Sequence, residues 1–350
     1  MLGLTQDKIR YRPVDWKHTV SDHVQALEWT ASGAALAVAP VTGNLVLLDR
    51  QTGATLWERP GHPQGNCALS ASGYCLASAG QDGMVRLWDS GRGELLAELE
   101  SGARQGAWCE HVKFSPDGQW LAATAGPWLR IWREKGDQVF EQKVLHSTVA
   151  ALEWRPDSGG LAVGGYNGVS LFRMKSGIWG TQPYEELEWK GSVLAVAWSP
   201  SGRYVAAGSQ ESTIQFWKLP YRHGEALAMS GYATKVRELA WDTESRWLAS
   251  GGGELVTVWD VRGRGPAGTR PRQLEGHTER VSCLKFQRKG TRLASGGRDR
   301  RVCIWDLSGS GDRGLELEWS ERVSVLEWSP DGGALAVGGN AGGVQIWENA

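Results

Sequence analysis

The stretch "LASGGRDRRVCIWD", Leu293–Asp306, decides how this chain is read, because a close copy, "LASAGQDGMVRLWD", already stands at Leu76–Asp89. Six further units carry graded versions: "WTASGAALAVAPVTGNLVLLD", "FSPDGQWLAATAGPWLRIW", "WRPDSGGLAVGGYNGVSLF", "WSPSGRYVAAGSQESTIQFW", "WDTESRWLASGGGELVTVWD" and "WSPDGGALAVGGNAGGVQIW". The bulky residue closing each unit falls at Leu48, Trp88, Trp132, Phe172, Trp217, Trp259, Trp305 and Trp347, in steps of 40, 44, 40, 45, 42, 46 and 42. So steady a period means one supersecondary unit written repeatedly.

Each unit has a physical reading. An alternating stretch such as "VSVLEW" is a strand with one buried face, and "SPDG" after it is a tight turn. Pro presets φ at the second turn position, and Gly takes a positive φ at the last. Small residues follow, as in "LAVGG", then a polar turn and a β-branched run ending in Trp. Small side chains let neighbouring sheets approach while the Trp fills the wedge between them. One such sheet cannot bury both faces, whereas a radial stack buries every face against a neighbour. The N-terminal "RPVDWKH" matches the outer-strand stretch "RPRQLEGH", and the chain stops three residues after Trp347, so residues 8–18 are expected to complete the last unit. That closure removes exposed sheet edges.

Composition agrees. The 350 residues include 47 Gly and 20 Trp but only 5 Phe and 4 Met, a balance suited to tight turns around bulky aromatics rather than to helical bundles. A formal net charge of -1 gives no whole-molecule signature of nucleic-acid or membrane binding. The five cysteines, Cys67, Cys75, Cys109, Cys283 and Cys303, form no Cys-x-x-Cys pair and read as reduced thiols. With no segment apolar enough for a leader or a membrane span, the expectation is a cytoplasmic protein.

On these repeats the chain resembles the WD40-repeat β-propellers over nearly its whole length. The resemblance implies an all-β propeller formed as a single domain over residues 1–350, with eight blades, or alternatively seven with one degenerate unit decorating the ring. It also implies a structural hydrogen-bond set per blade: His before the first strand, Ser or Thr on the second, Asp in the next turn and Trp on the third. Two blades match fully, with His62, Ser78, Asp82 and Trp88 in one and His277, Ser295, Asp299 and Trp305 in the other. Blade four keeps His146 and Asn167 but has Val163 and Phe172, so packing is expected to replace its network.

A His with Ser and Asp also suits an activated nucleophile. Here the trio recurs in structural register, and a buried indole N–H needs a partner, so the structural reading is preferred. The seven His are scattered without Cys or His at ligand spacing, so neither metal nor cofactor is expected. The glycines Gly251–Gly253 lack the Lys-Ser/Thr and the helix of a phosphate loop. Glu28, Glu153 and Glu327 share a register with Lys113 and Lys285, which favours ion pairs between blades over acid–base catalysis. The chain is therefore expected to be non-catalytic.

The resemblance implies a partner-binding top face, and among the outward positions transferred by register, which also include His23, Gln25, Gln81, Glu110, Gln210 and Asn340, the partner-binding candidates are Trp108, Tyr166, Lys235, Arg237, Arg280, Arg298 and Arg322. Every charged residue among these in blades six to eight is basic, and from Lys235 to Arg322 there are 17 Lys/Arg against 13 Asp/Glu. Such an arc steers acidic partners, and exposed Trp and Tyr make anchors. The expected function is a protein-interaction scaffold binding an acidic peptide or protein. The alternative is nucleic acid on the same arc; the Arg-rich "VRGRGPAGTRPRQ" (residues 261–273) reads as a flexible, solubilising loop toward the opposite face, and without interleaved aromatics its contact with phosphates is a minor reading.

Overall fold

The computed structural model describes residues 10–101, 106–133, 137–263, 266–308 and 314–350. Among the described residues every regular element is a β-strand. Five sheets have four antiparallel strands in consecutive order, one has five, and one has seven. The seven-stranded sheet is two meanders run together. Gly160–Lys175 doubles back through Asn167 (φ 72) and Gly168 (φ 131), so that the Met174 N–H reaches the Gly159 carbonyl at 3.0 Å. Glu185–Trp198 then passes through Gly191 (φ 138) as the outer strand of one meander and the innermost strand of the next.

The innermost strands set the ring. In order they are Val24–Trp29, Asn66–Ser72, Cys109–Phe114, Ala151–Trp154, the second half of Glu185–Trp198, Leu239–Trp241, Val281–Phe286 and Val323–Trp328. Each contacts the next, and the last contacts the first. Four of them end in a Trp whose indole N–H donates to the inner strand of the preceding blade: Trp29 to Glu327 O (3.1 Å), Trp154 to Lys113 O (2.8 Å), Trp241 to Ala197 O (3.3 Å) and Trp328 to Lys285 O (3.0 Å). The same side chains thus fill the wedge and tie its walls.

Turn chemistry positions these strands. In "SPDG" at Ser329–Gly332, Gly332 (φ 73) donates its N–H to Ser329 O at 2.8 Å, while Ser329 Oγ bonds Asp331 and accepts the Ala334 N–H. "SPDG" at Ser115–Gly118 repeats this with Gly118 at φ 74.

The chain ends meet in blade eight. Tyr11–Pro13 pairs with Asn349, Glu348 and Trp347, and His18–Thr19 pairs with Val344 and Gly343. Gln345 Nε2 spans the gap between these two short strands, donating to Val14 O at 3.2 Å and Trp16 O at 2.7 Å. Residues 8 and 9 of the stretch assigned to this strand lie outside the described residues. Across the junction with blade one, Arg50 binds Glu348 at 2.8 Å and Asp331 at 3.0 Å and covers the Trp29 ring. The Ser329 hydrogen bond, with the Gly333 N–H and that guanidinium, holds the Asp331 carboxyl at about 2.

The wedge interiors use three solutions. In blade two, Trp88 donates to Ser78 Oγ (3.0 Å), which meets His62 Nε2 (3.0 Å), while His62 Nδ1 meets Asp82 (2.7 Å). Blade seven repeats this with Trp305 to Ser295 (2.9 Å), Ser295 to His277 (2.8 Å) and His277 to Asp299 (3.1 Å). In blade seven ionised Asp299 only accepts, so His277 Nδ1 carries the imidazole proton, whereas in blade two Arg86 Nη1 also lies 2.6 Å from His62 Nδ1. Blade six substitutes a tyrosine: Trp259 donates to Tyr232 OH at 2.9 Å, and that hydroxyl meets Ser250 Oγ at 2.7 Å. Blade four packs instead, with Trp179 edge-on to Trp120 and Trp154 at 6.2 and 5.6 Å and Phe140 edge-on to Phe172.

Candidate functional site

Lys235, Arg237, Arg280 and Arg298 line one open cavity of about 570 Å³ between blades six and seven. Lys235 and Arg237 flank Val236, whose N–H donates to Ser209 O, at the entry to the inner strand of blade six. Arg280 precedes the inner strand of blade seven, and Arg298 sits in the turn above it, its N–H donating to Arg280 O at 3.0 Å. Backbone register therefore fixes where these guanidinium groups emerge.

Their partners differ. Arg280 Nη2 pairs with Glu238 Oε1 at 3.2 Å, and the Glu238 side chain is only 8% exposed. Burial raises the Glu238 carboxyl, and the Arg280 charge opposes that rise. The Lys235, Arg237 and Arg298 side chains make no ion pair or hydrogen bond among the described residues, although the Arg237 backbone N–H donates to Glu238 Oε2 at 3.3 Å. The cavity carries one further cation, Lys285, and one carboxylate, Glu238, with apolar wall from Leu239, Cys283 and Leu284.

The other register positions lie elsewhere. Arg322 is exposed and takes the Asn340 side chain on its backbone N–H, outside this cavity. Trp108 and Tyr166 are large exposed aromatics, 49% and 63% accessible, on blades three and four, and neither lines the cavity. The structure thus gathers four of the seven positions and leaves three apart. Within residues 261–273, Arg262 bonds Asp260 at 2.6 Å, Arg272 lies over the Trp247 ring, and Arg264 and Gly265 are outside the described residues.

A second cavity of about 510 Å³ shares Arg237, Leu239 and Lys285 with the first. Its wall holds the register carboxylates as ion pairs between blades: Lys113 with Glu153, and Lys285 with Glu327 at 2.8 Å. Arg288 adds links to Glu327 at 3.6 Å and Glu28 at 3.9 Å. Burial and the facing Glu327 carboxylate push Glu28 up, against the pull of Arg288. Sequence reasoning named both lysines and all three carboxylates but missed Arg288, which lies in a turn beyond the strand where register ends. It also missed Tyr232 and Glu238. The "EL" step in "VRELAW" was the available signal for Glu238, which falls between the selected Arg237 and the inner strand.

Comparison with known proteins agrees with this architecture. The family model described as WD domain, G-beta repeat matches residues 53–89, 182–218, 226–260 and 268–306. Over 122 residues the chain is 38% identical to "Cell division cycle 20.1, cofactor of APC complex" of Arabidopsis thaliana, covering 35% of this chain and 26% of that protein. It is 31% identical over 123 residues to "THO complex subunit 3" of the same plant, covering 34% and 38%, and 30% identical over 118 residues to "Anaphase-promoting complex subunit cdc20" of Dictyostelium discoideum, covering 33% and 22%. The matches span about a fifth to two fifths of these relatives' own length. The crystal structure of the computationally designed Ika8 protein superposes with a TM-score of 0.77 at 21% identity, over 96% of this chain and 98% of that one. The repeats, the radial sheets and these likenesses agree, and the chain carries WD40 repeats at the four matched stretches within a β-propeller fold.

Proposed function

We propose that this propeller is a non-catalytic, cytoplasmic interaction scaffold that docks an acidic protein segment at the cavity between blades six and seven. The observation that carries the reading is the convergence of Lys235, Arg237, Arg280 and Arg298 on one concavity, three of them without an ion partner. Unpaired guanidinium groups in a concave wall reward a carboxylate with charge-assisted, often bidentate bonds. Relatives named as a cofactor or as subunits of complexes support an assembly role.

The test is affinity capture with the double variant Lys235→Glu/Arg298→Glu against wild type. Both side chains are unpaired, so reversal leaves the Arg280–Glu238 pair intact. Loss of an acidic partner from a still-folded ring is expected, and undiminished recovery would overturn the docking site. Recovery of nucleic acid in place of protein, with affinity falling steeply as salt rises, would favour the alternative reading.

A further inference from the structure

The charge of the cavity is larger than one carboxylate can balance. Five cations line it against one carboxylate. Two of the five are neutralised in place, Arg280 by Glu238 and Lys285 by Glu327. That leaves Lys235, Arg237 and Arg298, an excess of three positive charges, facing a volume of about 570 Å³. Small-molecule sites occupy roughly 300–1,000 Å³, so the space suits a compact ligand.

We infer that this cavity is also a binding site for a small diphosphate, its two phosphoryl groups shared among Lys235, Arg237 and Arg298. One phosphate monoester carries about -1.5 to -2 charges at neutral pH, so two joined groups match three cations where one falls short. Terminal phosphoryl oxygens accept in several directions at once, which suits cations arriving from two blades: Lys235 and Arg237 from blade six, Arg298 from the turn of blade seven. Leu239, Cys283 and Leu284 offer apolar wall to an organic remainder if the diphosphate is an ester. The inference uses the same cavity as the docking site but does not rest on the acidic partner. A bound diphosphate occupies the same cations and competes with such a segment.

Calorimetry on the full chain tests it, with inorganic pyrophosphate as the probe and orthophosphate, citrate and a short alkyl diphosphate beside it. One saturable pyrophosphate site per chain is expected, with orthophosphate weaker by roughly tenfold or more, as loss of a charge-assisted contact predicts. Arg237→Ala and Arg298→Ala should each weaken pyrophosphate by roughly tenfold or more while leaving the ligand-free melting temperature unchanged. A tighter alkyl diphosphate marks an organic ligand, and equal affinity marks the inorganic one. Absence of saturable binding, citrate binding as tightly as pyrophosphate, or both variants keeping wild-type affinity would each overturn the inference. Pyrophosphate calorimetry and partner capture are separate readouts, so either reading can fail alone.

Discussion

Blades six and seven sit side by side and solve the same problem differently. Each buries a Trp at the end of its third strand, and each indole N–H needs an acceptor. Blade seven supplies Ser295, backed by His277 and Asp299. Blade six has ten residues from Ser250 to Trp259 inclusive where blade seven has eleven from Ser295 to Trp305, and the shorter turn brings no Asp to this network. Without that acceptor a His would have nothing to hold its ring proton. Tyr232 needs none, because its hydroxyl accepts from Trp259 and meets Ser250, and Ser250 Oγ lies 3.3 Å from Thr257 O. The position therefore selects a relay that ends in an acceptor, whatever residue supplies it.

Blade four sets the upper limit of this comparison, because it abandons the relay for packing. Trp179, 5% exposed, is the centre of its aromatic cluster. Trp179→Ala should cost about 3–5 kcal/mol, as aromatic truncation in a core does. Chemical denaturation checks it. A loss below about 0.5 kcal/mol, the scale of a surface change, would mean that the cluster does not replace the missing network.

The two relays separate next. Ser295→Ala strands two groups, the Trp305 N–H and the His277 ring nitrogen, while Tyr232→Phe strands the Trp259 N–H and leaves Ser250 near Thr257 O. At about 1–3 kcal/mol per orphaned buried group, the serine variant should lose roughly twice as much. Equal losses would mean that the histidine adds nothing to its relay.

Blade two adds a pH dependence. Burial lowers the His62 pKa against the pull of Asp82, so His62 prefers to stay neutral in the fold. The unfolded chain then takes up this proton first as pH falls. The stability contributed by neutral His62 is complete above the unfolded value of about 6.5 and is lost below it until the folded value is passed, by up to about 1.4 kcal/mol per pH unit. The stability gap between wild type and His62→Gln should narrow from pH 7 to pH 5. A constant gap in urea titrations would show that His62 titrates alike in both states.

The repeat, the strand order, the turns and the ring-closing strand were legible because each rests on local chemistry: Pro and Gly in "SPDG", alternation in "VSVLEW", Trp at the unit ends. Full tetrads were legible for the same reason. Tyr232 was not, since it stands in a loop 27 residues before its Trp partner, and nothing in its neighbours announces a relay. The basic arc was half legible. Register placed Lys235, Arg237, Arg280 and Arg298 on one side, but whether cations converge depends on how neighbouring blades meet, and the cavity between blades six and seven gathers these four and leaves Arg322 outside. The state of each cation was not legible either, because Glu238 comes to Arg280 from the neighbouring blade, 42 residues away.

The smallest stability effect belongs to the residues given the largest role in binding. Lys235 and Arg298 make no side-chain ion pair or hydrogen bond among the described residues, so their reversal to Glu removes no internal contact. The double variant should change stability by no more than about 0.5 kcal/mol, the usual range for exposed sites. Reversing Arg280 is different, since it would place a second carboxylate against buried Glu238 and leave that group without its cation. Removing one member of a buried pair costs about 3–5 kcal/mol, and partial exposure of Arg280 reduces that here. Melting curves of Lys235→Glu/Arg298→Glu and Arg280→Glu side by side decide the matter. If the unpaired residues prove as costly as the paired one, they hold the blades together, and their convergence is no longer a reason to expect a ligand.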